Sequence, residues 1–207
     1  MSNNKKLFIK KKGDKYFERS KSHTVNYQIE PLSKIIIDCT KKIKTRNIKV
    51  LEIGCGDANR LLYLKQIFPK IVFYGIDPSA KAIKNKQKSS IILKKSTADK
   101  IPFKKNFFDI IIYGFCPYLV DNRDLFKIIF EAERVSKRNS WIIIKDFYSK
   151  NIKYRQYKHN RNIFIRKMNC SKMFSWCPYY KIKVFKKFKY KNKKNDYLSI
   201  ISFQKKL

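Results

Sequence analysis

Val50-Leu51-Glu52-Ile53-Gly54-Cys55-Gly56-Asp57-Ala58-Asn59-Arg60-Leu61 is the stretch from which the fold can be read. The aliphatic run to Ile53 has the character of a strand covered on both faces, and it carries a carboxylate, Glu52, at its end. Gly54 and Gly56 permit a sharp turn and leave no Cβ between the backbone and a bound molecule. Leu61, Leu62 and Leu64 then fall at helical spacing, with Asp57 where the start of a helix favours an acidic or capping side chain. Two glycines two apart are a weak signal alone. Their weight comes from the strands and acids spaced regularly downstream.

Beyond Leu61 the same strand-then-helix unit recurs. Ile71 to Asp77 is a second apolar strand ending in a carboxylate, after which Pro78-Ser79 opens a helix through Ala82 and Ile83. Ile91 to Leu93 is a short third strand, Phe108 to Tyr113 a fourth, and Trp141 to Ile144 a fifth ending near Asp146. An amphipathic helix is expected over 124–136, and another, opened by Pro31, over 30–44. Strands alternating with helices predict an α/β, three-layer Rossmann-like sandwich with a mostly parallel sheet. Residues 182–188 and 197–203 alternate apolar with polar and predict a C-terminal antiparallel hairpin turning at 191–196. Phe147 to Tyr180 breaks the rhythm and reads as irregular, aromatic and basic.

In open parallel sheets, ligands bind beyond the carboxyl ends of the strands. Glu52, Asp77 and Asp99 fall at three such ends. Each alone would pass for a solvated loop acid; the three in step with the strand pattern point to one site. Here the sequence resembles the class I S-adenosylmethionine-dependent methyltransferases. Leu51 to Asp57 is similar to their E/D-x-G-x-G motif, and Gly75-Ile76-Asp77-Pro78-Ser79 to their ribose-binding strand end. Ala98-Asp99 with Ile101-Pro102-Phe103 resembles the adenine motif, Phe107 to Ile111 the fourth strand, and Glu131 to Val135 with Trp141 to Phe147 the approach to the fifth. The resemblance covers about residues 45–148. Ala58 departs from it, standing where many members have a third glycine.

The resemblance implies that Glu52 helps hold the methionine ammonium, that Asp77 bonds the ribose and that Asp99 reads the adenine amino group. Gly54, Gly56, Pro78, Ala98 and Tyr113, at the end of the fourth strand, complete the expected donor site. Carboxylates suit a cationic sulfonium and ammonium, whereas a dinucleotide pyrophosphate would call for a fuller G-x-G-x-x-G. S-adenosylmethionine is therefore the expected methyl donor. In-line transfer from an activated sulfonium needs alignment above all, worth roughly 7–11 kcal/mol, and no metal. Two histidines and five cysteines without a CxxC pair give no zinc pattern. A hydroxyl acceptor gains from a base, for which His159, Asp146, Tyr148, Tyr154 and Tyr157 are the candidates.

Length and composition suit one domain over 1–207: a basic, flexible 1–15, a cofactor-binding core at 45–148, an acceptor-side cap at 149–180 and a closing hairpin at 181–207. The formal charge of +35 would fit a nucleic-acid partner. Only nine of the fifty basic residues are arginine, however, and the lysines come with abundant Ile, Asn, Tyr and Phe, as AT-rich coding would give. Free thiols, no apolar leader and no apolar run long enough to span a bilayer place the chain in the cytoplasm as an expectation.

For the acceptor, strand four runs into Tyr113-Gly114-Phe115-Cys116-Pro117-Tyr118, which is neither the Asn/Asp-Pro-Pro-Tyr/Phe signature of base amino methylation nor a Pro-Cys nucleophile. Gly114 to Leu119 also resembles stand-alone methyltransferases associated with bacterial surface-glycan biosynthesis. The cap's aromatic and apolar residues (Tyr154, Tyr157, Phe164, Met168, Phe174, Trp176, Tyr179) either fold over the acceptor or form the core beneath the closing hairpin. Its basic residues Lys153, Arg155, Lys158, Arg161 and Arg166 would receive an anionic small molecule or stacked bases. O-methylation of a small-molecule or sugar-type acceptor is the leading expectation. An RNA-modifying methyltransferase is the alternative, and a non-catalytic nucleotide-binding domain a remote one.

Overall fold

A computed structural model describes residue 9 and residues 13–20, 25–84, 90–190 and 196–206. Helix α1 (Gly13–Ser20) begins within the stretch expected to be flexible; residues 1–8 and 10–12 lie outside the described residues. Helix α2 (Pro31–Lys41) starts where Pro31 supplies a pre-set φ at the first helical position. Then come β1 (Lys49–Ile53), α3 (Asn59–Ile67), β2 (Val72–Asp77), the short α4 (Ala80–Lys84), β3 (Ile92–Lys95) and β4 (Phe108–Gly114). Helix α5 (Asn122–Val135) leads directly into β5 (Ser136–Tyr148).

These strands and the last two, β8 (Tyr180–Lys189) and β9 (Tyr197–Lys205), form one seven-stranded sheet in the order β3-β2-β1-β4-β5-β9-β8. Pairings from β3 to β5 are parallel, and β9 is antiparallel to both β5 and β8. The expected α/β Rossmann-like fold with an antiparallel close is the one that forms. The turn expected at 191–196 falls largely outside the described residues, although Tyr190 N–H donates to the Asp196 carbonyl across it at 2.8 Å.

Side-chain alternation along the strands divides the core in two. Leu51, Ile53, Ile111, Tyr113, Ile142 and Ile144 face Ile128, Ala132 and Val135 of α5. Val50, Phe73, Ile110, Ile112, Trp141 and Ile143 face Leu32, Ile35, Ile36 and Cys39 of α2 and Leu61 and Leu64 of α3. Period two on the sheet thus feeds two helical layers, each burying an apolar stripe. Strand β5 is much longer than Trp141–Asp146, because its first residues pair again with β4 through a register shift between Phe108 and Ile110.

The stretch Phe147 to Tyr180 is more ordered than its composition suggests. It holds a separate two-stranded sheet, β6 (Lys153–Tyr157) and β7 (Asn160–Lys167), closed by the Lys158-His159 turn, and a single 3-10 turn at Cys170–Met173. Strand alternation is hidden there because β6 is exposed along most of its length.

Tyr113 belongs to this core and not to the donor site. It is fully buried, and its hydroxyl donates to the Ile128 carbonyl at 2.7 Å. Tyr113→Phe removes that bond and leaves a buried carbonyl short of one partner, so it should cost about 0.5–1.5 kcal/mol. Urea unfolding should register this loss, while affinity for S-adenosylhomocysteine stays at the wild-type value.

Candidate functional site

β1, β2 and β4 all deliver their carboxyl ends to one rim, where the glycine turn closes. Gly54 and Gly56 have φ of 73° and 53°, the left-handed region open to glycine. Gly54 N–H donates to the Ile76 carbonyl at 2.8 Å, tying the turn to the end of β2. A Cβ on Gly54 would also lie 2.9 Å from the Cys116 Cβ, so the loop after β4 closes directly over the turn. Ala58 takes φ 57° at the entry to α3, where a third glycine would have been unstrained. Asp57 accepts from Asn59 N–H at 3.3 Å and serves the helix start as its position suggests.

Beyond this rim lies a cleft with about 630 Å³ of space, open to solvent. Gly54, Pro78, Ala98 and Asp99 line it as expected; Cys116 and the Leu119–Asp121 loop form the opposite wall, with Asp124 and Ile128 from α5. Asp77 stands beside Pro78 and accepts from Gly56 N–H at 2.9 Å and from Ser79 N–H at 2.8 Å. One carboxylate thereby fixes the glycine turn and the start of α4 together. Burial pushes Asp77 up to about 6 despite those two bonds. Asp77 itself is not among the residues that line the cleft; it supports the turn and Pro78, which flank it.

Glu52 is placed differently. It points to the α2–α3 face beneath the turn, fully buried, and does not line the cleft. Arg60 Nη1 donates to its Oε1, and the same guanidinium grips Glu30 with Nε–Oε2 at 3.1 Å and Nη2–Oε1 at 3.0 Å. Lys145 on β5 adds a bond to Glu30 Oε1 at 2.7 Å, and Ser33 another to Oε2 at 2.8 Å. Burial raises Glu52 to about 7, opposed by Arg60. Burial also acts to raise Glu30, but Arg60 and Lys145 hold it down to about 2. Glu52 Oε2 is buried with no partner. It is the one carboxylate oxygen of the Glu30–Arg60–Glu52 group left without a donor. Arg60, Glu30 and Lys145 were not legible as site residues; the sole sequence signal was Arg60 one turn after the motif.

The candidate bases do not converge on the cleft. Asp146 is buried and accepts from Tyr118 N–H at 2.8 Å and Phe147 N–H at 2.6 Å, so it anchors the loop after β4; burial pushes it up to about 8. Tyr148 lies edge-on to Phe185 and under Lys187, on the far strands of the sheet. Tyr154 accepts from Asn122 Nδ2 at 2.8 Å, while Tyr157 and His159 pack together at the tip of the β6–β7 hairpin. None of the five lines the cleft. Two residues of α1 that carry no sequence signal are closer to it. Tyr16 shares a 2.9 Å hydroxyl bond with Tyr118, beside the Cys116 wall, and burial pushes Tyr16 up to about 12. Asp14 accepts from Ser79 Oγ at 2.6 Å and Lys81 N–H at 3.0 Å. Helix α1 therefore bridges Ser79, after β2, and Tyr118, after β4, although none of its residues lines the cleft.

A glycine turn at the carboxyl end of a central parallel strand, with acidic residues on the neighbouring strand ends, defines a nucleoside-binding Rossmann-like protein. Residues 51–144 match the family model described as methyltransferase domain. Over those residues the chain is similar to the class I S-adenosylmethionine-dependent methyltransferases. No curated protein sequence matches it. Among solved structures it is similar to the Burkholderia thailandensis 1,6-didemethyltoxoflavin-N1-methyltransferase bound to its substrate and S-adenosylhomocysteine. That match has a TM-score of 0.78 at 10% identity and covers 100% of this chain and 92% of that one. A geranyl diphosphate methyltransferase matches with TM-score 0.63 at 9% identity, over 83% of this chain and 75% of that one. The [4+2]-cyclase SpnF matches with TM-score 0.65 at 11% identity, over 84% and 80%. At such identities these neighbours define the fold, and the cyclase among them shows why the chemistry must be argued from the site.

Removing the guanidinium would strand two buried carboxylates. Arg60→Met should therefore destabilise the fold by about 3–5 kcal/mol near neutral pH. Without Arg60 the folded-state pKa of Glu52 rises further, so its stability penalty is absent below the unfolded value and grows as pH rises through the folded one. Urea unfolding at about pH 5 and about pH 8 should thus show a smaller gap between variant and wild type at the acid end.

Proposed function

We propose that this enzyme transfers the methyl group of S-adenosylmethionine to a small-molecule acceptor, with a hydroxyl of a sugar-type molecule as the receiving group. The observation that carries the reading is the cleft itself: Gly54, Pro78, Ala98 and Asp99 face a second wall at Cys116 and Leu119–Asp121, and α1 ties the flanking Ser79 and Tyr118 together. A concave cleft with apolar walls and a few acidic side chains suits a compact acceptor better than a polymer. When bound, the donor supplies a sulfonium-activated methyl group. Asp77 would take the ribose hydroxyls, Asp99 the adenine amino group and Glu52 Oε2 the ammonium. The chain's own task is then to align the acceptor and keep water out. With Tyr16 protonated at neutral pH, the Tyr16–Tyr118 pair acts as a hydrogen-bonding guide and not as an anionic base.

The RNA-modifying alternative draws its support from the +35 charge. It predicts RNA affinity falling steeply with salt. A radiolabelled methyl-transfer screen over RNA, protein and metabolite pools separates the two: label in the small-molecule pool supports the leading reading, and label in RNA replaces it.

Donor binding is tested by calorimetry with S-adenosylhomocysteine and with 5′-methylthioadenosine, which lacks the amino-acid tail. Asp77→Asn should weaken both by about ten-fold or more, and Glu52→Gln only the first. In the wild type, S-adenosylhomocysteine should bind less well as pH falls through about 7 to about 6, where Glu52 and Asp77 gain protons. Unchanged affinity in Asp77→Asn would remove the ribose role, and equal loss of both ligands in Glu52→Gln the ammonium role.

A further inference from the structure

Arg166, on β7, is a buried cation with no carboxylate bonded to it. It is 4% exposed. Its Nη1 donates to Asn122 Oδ1 at 2.6 Å and its Nη2 makes a long bond of 3.4 Å to the Pro117 carbonyl; both acceptors are neutral. Its Nε is buried with no partner. The other buried cations are paired: Arg60 with Glu30 and Glu52, Lys167 with Asp196 at 2.5 Å, and Lys205 with Glu133 at 2.6 Å. Among the described residues none forms an ion pair with Arg166. Its own segment offers no counter-charge, because between Asp146 and Asp196 the sequence holds sixteen Lys or Arg and not one Asp or Glu. Asp146 and Asp121 act on it only through space, and Asp146 gives its oxygens to two backbone N–H groups.

A buried guanidinium is costly unless a negative group meets it. Burial accordingly pulls the Arg166 pKa below its ordinary range. Arg166 does not itself line the cleft, but the two groups it bonds, Pro117 and Asn122, bracket Leu119, Val120 and Asp121, which wall the cleft opposite Gly54, Pro78 and Asp99. Asn122 also links Arg166 to Tyr154, its cross-strand partner on β6, so the hairpin presents both to the same loop. General lysine bias does not account for this residue, which is an arginine, buried and held in place.

We propose that Arg166 is the anion seat of the acceptor pocket, pairing with a phosphate or carboxylate of the methyl acceptor. The inference rests on the methyltransferase reading for the identity of the ligand, but not for the binding itself. Forked oxyanions match a guanidinium in two-point geometry, and Nε, buried without a partner, is one of the donors left for them. The hairpin and the Pro117–Asn122 loop must part to admit the group, and Asn122 is the joint between them.

The test uses the full chain, with and without saturating S-adenosylhomocysteine, and two probes: inorganic pyrophosphate for phosphate and citrate for carboxylate. Wild type should bind at least one of them saturably, one per chain, with a rise in melting temperature; which probe binds names the acceptor's anionic group. Arg166→Met should lose that affinity by about ten-fold or more, whereas Arg161→Met, an exposed charge on the same strand, stays within about two-fold. Without any probe, Arg166→Met should melt at or above the wild-type temperature, because an unpaired buried charge has been replaced by an apolar side chain. Probe binding equal in the two variants would make the anions a property of surface lysines and overturn the proposal. So would the lack of saturable binding in wild type, or a clear drop in the Arg166→Met melting temperature, which would make the arginine a structural tie. Should S-adenosylhomocysteine fail to bind while the anion result holds, the donor reading falls and the seat stands.

Discussion

One guanidinium held between two carboxylates sits where the sheet, the glycine turn and two helices meet. Arg60 opens α3, Glu52 ends β1, and Glu30 stands at the start of α2; Lys145 brings in β5. Such a group is stable only if every member is present, since each would otherwise be an uncompensated charge out of water. It also dictates its surroundings. A Cβ on Gly114 would collide with Glu52 Oε1 and come within 2.9 Å of Arg60 Nη1, so any side chain at the end of β4 would have to displace the tips of both. The carboxylate oxygen that Arg60 leaves uncovered is the one best suited to a ligand's positive end.

Charge is divided across the cleft in a chain that is strongly cationic as a whole. The donor side and the loop opposite it hold Asp77, Asp99, Asp121 and Asp124, while the cap that follows Asp146 is free of acids until Asp196. Lysine-rich coding would raise the positive charge uniformly. It would not gather acids on both walls of the cleft while leaving the segment after Asp146 without any. Helix α1 joins the two regions mechanically: Asp14 bonds to the Ser79 that follows the Asp77 strand end, and Tyr16 bonds to Tyr118 on the far wall.

The alternation of strands and helices, the glycine turn and the acidic strand ends were all legible, because each is a local pattern: period two, period 3.6, or a residue type that a backbone angle demands. Gly54, Pro78, Ala98 and Asp99 line the cleft as those patterns imply. Tyr113 and Glu52 show the boundary of such reasoning. Both stand at a strand end, yet one is buried in the α5 face and the other turns toward α2 and α3. A one-residue step along a strand moves a side chain to the opposite face, and distance from a motif does not encode that step.

The sequence by itself determined the fold class, the glycine turn and the acidic residues near the carboxyl ends of the strands, since these depend on neighbours within a few residues. The tertiary structure alone decided which charges pair. Glu30 with Arg60, Asp14 with Ser79 and Arg166 with Asn122 lie 30, 65 and 44 residues apart. Packing brings them together, and desolvation then fixes whether each is a partner, an anchor or a charge left waiting for one.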